Sequence, residues 1–177
     1  MASVPRTRER ILQMAGRAIG ELYAESSIIL IDDAVLEDIL QYSERDLRRE
    51  RGGFLLGRVW EDEEPCVEIR YFVPAEQTLE RQSSLTFTHE TWARLNRIKD
   101  EKYPDEKILG WHHTHPGFGV FLSDMDLFIH KNFFSQRWQV ALVVDPVKHE
   151  LGFFHWRAGD VRDCGFVVVE DERPQAS

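Results

Sequence analysis

Gly110-Trp111-His112-His113-Thr114-His115-Pro116-Gly117-Phe118-Gly119-Val120-Phe121-Leu122-Ser123-Asp124-Met125-Asp126 is the most informative stretch of the chain. It holds two histidines two residues apart, a proline-glycine break, and then a serine and an aspartate three residues apart. Alternate residues of a strand face the same side, so His113 and His115 are expected to present their imidazoles together. Asp126 follows a short loop and is the expected third ligand of a metal site.

Two imidazoles and a carboxylate suit a catalytic zinc ion, whose fourth position stays open for water. Each half of the pattern has another interpretation. Ser123 and Asp126 have the spacing of a helix capping box, and paired histidines also occur in ordinary cores. The same ligand types form iron oxygenase sites. The two halves lie close together around a tight loop, and this combination favours the zinc site.

Two further histidines flank this pattern. His112 is adjacent to His113, so we expect it on the opposite side of the strand, away from the metal. His130 lies one helical turn after Asp126, where it is either a partner of the ligands or, as we expect, a surface residue.

Hydrophobic periodicity predicts that this stretch belongs to a mixed α/β domain. Helices are expected at residues 5–24, 33–47, 88–103 and 123–134. Strands are expected at residues 26–31, 54–59, 66–73, 107–113, 138–145, 151–156 and 166–169. Residues 74–87 are polar without clear periodicity and are expected to form a loop.

The domain organisation follows from these elements. A chain of 177 residues is long enough for one hydrophobic core. We divide it into an N-terminal helical extension (1–27), a catalytic domain (28–170) and a flexible tail (171–177). The amphipathic extension is a candidate surface for a protein partner or a dimer.

Composition excludes several classes of function. The net charge of −9 is the wrong sign for binding a phosphate backbone, so nucleic acid is not an expected partner. No apolar run reaches the length of a membrane span. The two cysteines show no paired spacing, which fits a reducing, cytoplasmic location.

The motif His113-Thr114-His115-Pro116, six residues, Ser123, two residues, Asp126 resembles the signature of the JAMM (MPN+) metalloproteases, also called JAB domains. Upstream, Glu50-Arg51-Gly52-Gly53-Phe54-Leu55-Leu56-Gly57 is similar to the glutamate segment of that family. Val143-Val144-Asp145-Pro146 resembles its proteasome-lid and signalosome members. The resemblance covers residues 28–170 and implies a single domain with a mixed, curved β-sheet flanked by helices, similar to cytidine deaminases.

The resemblance also implies roles for individual residues. His113, His115 and Asp126 would hold Zn²⁺, Glu50 would be the general base, and the Ser123 hydroxyl would stabilise an oxyanion. Composition alone would leave Glu50 on the surface, within a run of charged residues.

Members of this family cleave after the C-terminal glycine of ubiquitin or of a ubiquitin-like protein, so the resemblance implies a deubiquitinase-like isopeptidase. Residues 76–88 correspond to an insertion that pairs with the substrate tail, and Leu85, Phe87 and Phe118 are the expected contacts. Two alternatives stay open. One is a hydrolase that releases small adducts from sulfur carriers of the ubiquitin fold, and the other is a non-catalytic MPN scaffold.

Overall fold

The computed structural model describes residues 16–23, 26–61, 65–75 and 88–170. Within these ranges the strands are β1 (Gly16–Ile19), β2 (Ile28–Asp32), β3 (Gly52–Trp60), β4 (Cys66–Pro74), β5 (Lys107–Thr114), β6 (Val140–Asp145), β7 (Glu150–Arg157), β8 (Asp160–Cys164) and β9 (Phe166–Val169). The helices are α1 (Asp33–Glu44), α2 (His89–Lys102) and α3 (Asp124–Phe133).

The strands form one mixed sheet in the order β1-β9-β2-β4-β3-β5-β6-β7-β8. Strand β2 runs parallel to β4 and β9, and β5 runs parallel to β6. The remaining neighbours are antiparallel. This arrangement confirms the predicted α/β fold, a mixed sheet flanked by helices.

Helices cover both faces of the sheet, and alternate residues of β6 contact the two sides. Leu142 packs in a cluster with Ile39 of α1, whereas Val143 packs in a second cluster with Leu95 of α2 and Ile129 of α3. A strand buried on both faces carries a continuous apolar run, as β6 does. We call the two sides the α1 face and the α3 face.

Strand β5 contains a bulge that changes which face its residues occupy. Leu55 pairs with Gly110 while Leu56 pairs with Ile108, so Leu109 is an extra residue. In a regular strand, residues 109 and 111 would share a face. Here Leu109 packs on the α1 face and Trp111 on the α3 face. The bulge therefore exchanges the faces of the residues that follow it, including the histidines, relative to a regular strand.

Most predicted elements are present, but the N-terminal helix prediction is wrong within the described residues. Residues 1–15 lie outside the described ranges, but Gly16–Ile19 is a strand, not part of a helix. It pairs with β9, from Gly16 opposite Val169 to Ile19 opposite Phe166. Backbone pairing outweighs a weak helical pattern that is interrupted by Gly20 at φ 79°.

Other differences are smaller. Helix α1 ends at Glu44, three residues earlier than predicted, and Asp46 then accepts hydrogen bonds from the backbone N–H groups of Arg48 and Arg49. Strand β8 was not predicted because charged residues dominate it, as at many sheet edges.

Most of the predicted 74–87 loop and the 171–177 tail lie outside the described residues. No described helix is long and apolar enough to cross a membrane.

Gly110 allows β5 and β6 to approach closely at the bulge. A Cβ atom at this position would lie 1.9 Å from the Val140 carbonyl oxygen, whereas a Cβ at Gly152 would meet only the Val120 side chain. We expect Gly110→Ala to lower the free energy of unfolding by at least about 2 kcal/mol and Gly152→Ala to cost less than about 1 kcal/mol. Urea unfolding measures both. Equal losses would show that the backbone contact is not the cause.

Candidate metal centre

The end of β5 is fixed to the chain before β3. The Thr114 N–H donates to the Arg51 carbonyl over 2.8 Å, and the Arg51 N–H donates to Thr114 Oγ1 over 3.0 Å. Because Glu50 directly precedes Arg51, this pair of bonds brings the glutamate segment beside the histidines. The structure thus joins two stretches that are far apart in sequence.

His113, His115 and Asp126 converge at this place. His113 Nε2 lies 3.0 Å from His115 Nε2, and Asp126 Oδ2 lies 3.0 Å from His113 Nε2 and 3.1 Å from His115 Nε2. The three side chains are buried, and their ligand atoms lie within 4.8 Å of one another. Three buried donors of these types, with donor atoms this close, are suited to hold a divalent cation.

Asp126 has a second role in the local fold. The Ser123 N–H donates to Asp126 Oδ2 over 2.9 Å, and the Asp126 N–H donates to Ser123 Oγ over 3.1 Å. These bonds form a capping box at the start of α3. The capping interpretation and the ligand interpretation of the Ser123 and Asp126 spacing are therefore compatible.

The site is electrostatically coupled. Burial acts to raise the pKa of Asp126, but hydrogen bonds with His113 and His115 outweigh it and hold that pKa far below the usual carboxyl range. Burial acts to lower the pKa of His115, yet Asp126 and then Glu50 raise it overall. An ionised carboxylate beside two imidazoles attracts a cation.

The other predicted site residues lie at different distances. Glu50 Oε1 is 3.7 Å from His115 Nε2, and its side chain is 21% exposed. Ser123 is the N-cap of α3. Phe118 is 70% exposed in the loop after His115. Leu85 and Phe87 lie outside the described residues.

Asp145 anchors the loop that follows His115, a role that the sequence did not reveal. Its carboxylate accepts hydrogen bonds from the N–H groups of Gly117 (2.9 Å) and Gly119 (2.8 Å). Both glycines have positive φ angles, 81° and 88°, which other residues rarely adopt. The His115 ring is oriented by the same loop, since its Nδ1 lies 3.2 Å from the Gly119 carbonyl oxygen.

The two flanking histidines are both buried. His112 faces α1, with Nε2 3.2 Å from Ser43 Oγ, and burial lowers its pKa to about 3. Its separation from the ligands agrees with the prediction. The expectation that His130 is a surface residue is wrong, because its Nδ1 accepts a hydrogen bond of 3.0 Å from Trp111 Nε1 and its ring is fully buried.

Comparison with known proteins identifies the family. Residues 24–137 match the family model described as JAB1/Mov34/MPN/PAD-1 ubiquitin protease. Because the match covers more than half of the chain, the protein belongs to this family, and the JAMM/MPN resemblance is confirmed.

Individual relatives agree with this assignment. COP9 signalosome complex subunit 5 of Caenorhabditis elegans is 28% identical over 122 residues, which are 68% of this chain and 33% of that protein. Ubiquitin carboxyl-terminal hydrolase RPN11 of Saccharomyces cerevisiae is 35% identical over 74 residues, 41% of this chain and 24% of that protein. The matches thus span at most about a third of these relatives.

A solved structure supports the fold. The solution structure of a protein from Desulfitobacterium hafniense superposes with a TM-score of 0.63 at 20% identity, covering 82% of this chain and 96% of the other. At this identity the similarity concerns the fold alone.

Asp145 provides a pH-dependent test of the loop anchor. Burial acts to raise its pKa, but the backbone hydrogen bonds lower it overall. The folded pKa therefore lies below the unfolded value of about 3.9, so the stabilisation is complete above about pH 5 and is lost as pH falls through the folded pKa. We expect Asp145→Asn to lower the free energy of unfolding by about 2 kcal/mol at pH 7.

Urea unfolding of both proteins at several pH values measures this difference, which should shrink below about pH 4. The Asp126 contribution is common to both proteins and cancels. Asp105→Asn, at an exposed position, is the matched control and should leave stability unchanged. A difference between the wild type and Asp145→Asn that stays constant down to pH 3 would contradict this interpretation.

Proposed function

We propose that this protein is a zinc-dependent isopeptidase that cleaves after the C-terminal glycine of ubiquitin or a ubiquitin-like protein. The observation that carries the proposal is the convergence of the three donors with the Glu50 carboxylate, 3.7 Å from His115 Nε2. Glu50 comes from a different part of the chain. The pairing of β3 with β5 is needed to bring it beside the donors.

The donor set fits zinc. His113, His115 and Asp126 would hold the ion through two imidazole nitrogens and one carboxylate oxygen, the three-ligand composition of catalytic zinc sites. Bound zinc would polarise the scissile carbonyl and lower the pKa of a water molecule towards about 7.

Glu50 is the proposed general base. Its Oε1 lies 3.7 Å from His115 Nε2, the atom that His113 and Asp126 also contact. Its partial exposure leaves it accessible to water and to a substrate. From this position the carboxylate accepts a proton from the attacking water and then delivers it to the leaving amine.

Ser123 is the proposed oxyanion donor. Its Oγ already accepts the Asp126 N–H, so the hydroxyl hydrogen is available to donate to a substrate carbonyl oxygen. The helix cap fixes the oxygen in place before the substrate binds, and such preorganisation favours stabilisation of developing negative charge.

The surroundings suit an extended tail that ends in glycine. Phe118 is exposed, and the Phe121 ring centroid lies 4.7 Å from that of His115. These aromatic rings would leave room near the ion only for substrate residues without side chains. The rings would contact the substrate residues next to those glycines. The RPN11 relative is named a ubiquitin carboxyl-terminal hydrolase, which supports the same substrate class.

A non-catalytic scaffold is the main competing function. A scaffold has no need for the three donors, the general base and the oxyanion donor to meet. All five polar side chains are retained in this chain, and the positions described above favour catalysis.

Substitution of Glu50 separates metal binding from catalysis. We expect Glu50→Gln to retain zinc at one ion per chain and to lower kcat at least about a hundredfold, because the amide cannot accept the proton. Asp126→Ala should lose zinc as well as activity. Metal analysis and cleavage of a ubiquitin-like fusion, with and without chelator, measure both effects.

Glu101→Gln carries the same charge change at an exposed position of α2 and should leave kcat unchanged. Full cleavage activity in purified Glu50→Gln would rule out the proposed mechanism. Wild-type protein that binds zinc but cleaves no conjugate would instead favour the scaffold.

Phe118 tests the contact with the substrate tail. We expect Phe118→Ala to raise KM about fivefold with little change in kcat, since an exposed ring that binds ground state and transition state equally affects KM alone. Phe133→Ala, which removes a half-exposed ring at the far end of α3, is the control. An unchanged KM would exclude Phe118 from the tail-binding surface.

A further inference from the structure

The two histidines of the metal centre are held in different ways. His115 Nδ1 lies 3.2 Å from the Gly119 carbonyl oxygen, an arrangement that fixes the ring of a ligating histidine. His113 presents Nε2 to the other donors, but its buried Nδ1 has no hydrogen-bond partner among the described residues. Among the described residues, no hydrogen bond therefore supports the His113 ring from its Nδ1 side.

Trp111 supplies that support. The Trp111 and His113 rings are stacked, with centroids 4.4 Å apart and an interplanar angle of 8°. Both residues follow the β5 bulge and lie two apart on the same face. The plane of the His113 ring is therefore set by the plane of the Trp111 indole.

The indole is fixed in turn by α3. Trp111 Nε1 donates to His130 Nδ1 over 3.0 Å, and His130 is fully buried. Burial lowers the pKa of His130 to about 4, so its imidazole is neutral at neutral pH, and with its proton on Nε2 the ring accepts at Nδ1. His130 lies one turn after Asp126, so a single helix provides a carboxylate donor and the anchor for the indole.

We propose that His130 is a positioning residue of the metal centre, which acts through Trp111 to hold the His113 ring towards the ion. The inference rests on the proposed metal site, but not on the identity of the substrate. Losing the acceptor would remove the hydrogen bond between the buried indole N–H and α3 and allow the indole, and with it His113, to reorient.

Two variants at this position separate the acceptor from the packing. His130→Leu keeps an apolar group of similar size but cannot accept a hydrogen bond. His130→Asn places an amide oxygen close to the position of Nδ1 and should restore the bond. Ile129→Ala is the control for stability, because it opens a buried position on the same helix without touching the Trp111 hydrogen bond.

Zinc affinity, measured by competition with a chromogenic chelator, is the first readout. Losing an outer partner of a metal ligand typically costs about 10- to 100-fold in affinity. We expect His130→Leu to weaken zinc binding at least about tenfold on this basis, His130→Asn to stay within about threefold of wild type, and Ile129→Ala to lose stability with unchanged affinity. Equal affinity in wild type and His130→Leu would overturn the inference and leave the proposed function intact.

A double-mutant cycle tests whether the effect passes through the indole. Trp111→Phe keeps an aromatic ring but removes the N–H donor. In that background, His130→Leu should weaken zinc binding by less than about twofold, because the bond is already lost. Fully additive effects of the two substitutions would overturn the inference.

The indole ¹H–¹⁵N resonance of Trp111 provides a readout without metal, and it is assigned by its loss in Trp111→Phe. It should shift in His130→Leu and return in His130→Asn. Wild-type protein that takes up no zinc would overturn the proposed function. An unshifted resonance in His130→Leu would overturn the present inference, whatever the zinc result.

Discussion

The bulge at Leu109 is the constraint on which the candidate metal centre depends. A regular β5 would place residues 109, 111 and 113 on the same face, and the α1 face would receive all three. The extra residue sends Leu109 to the α1 face and Trp111 to the α3 face. His113 then points to where Asp126 enters, while His112 faces Ser43 of α1. One added residue thus decides which histidine is a candidate ligand.

The sequence predicted much of the fold and of the candidate site because local signals were strong there. His113 and His115 lie two residues apart at the end of β5 and just beyond it, and Ser123 and Asp126 lie three apart at the start of α3, so both signals are local in the chain. The capping box that the Ser123 to Asp126 spacing allows is present in the structure. By contrast, Glu50 was singled out only through the family resemblance, because its place beside His115 depends on long-range strand pairing.

The predictions that failed depended on tertiary contacts. His130 was expected at the surface because the sequence of a helix does not reveal that the indole of Trp111, from strand β5, donates to it. Gly16–Ile19 was predicted to be helical from its local pattern. Its strand partner, β9, lies about 150 residues later in the chain, so the local sequence does not reveal the pairing. Asp145 was visible as part of a family-like segment, but its role as an acceptor for two loop glycines required the fold.

The anchor at Asp145 holds the loop through its backbone. The carboxylate contacts N–H groups of Gly117 and Gly119, and the loop's contact to the His115 ring is the Gly119 carbonyl oxygen. The side chains of Phe118 and Phe121 take no part in these bonds. Substitution of these two side chains therefore leaves the backbone bonds of the loop in place, so the surface that the loop presents can change while its shape is kept.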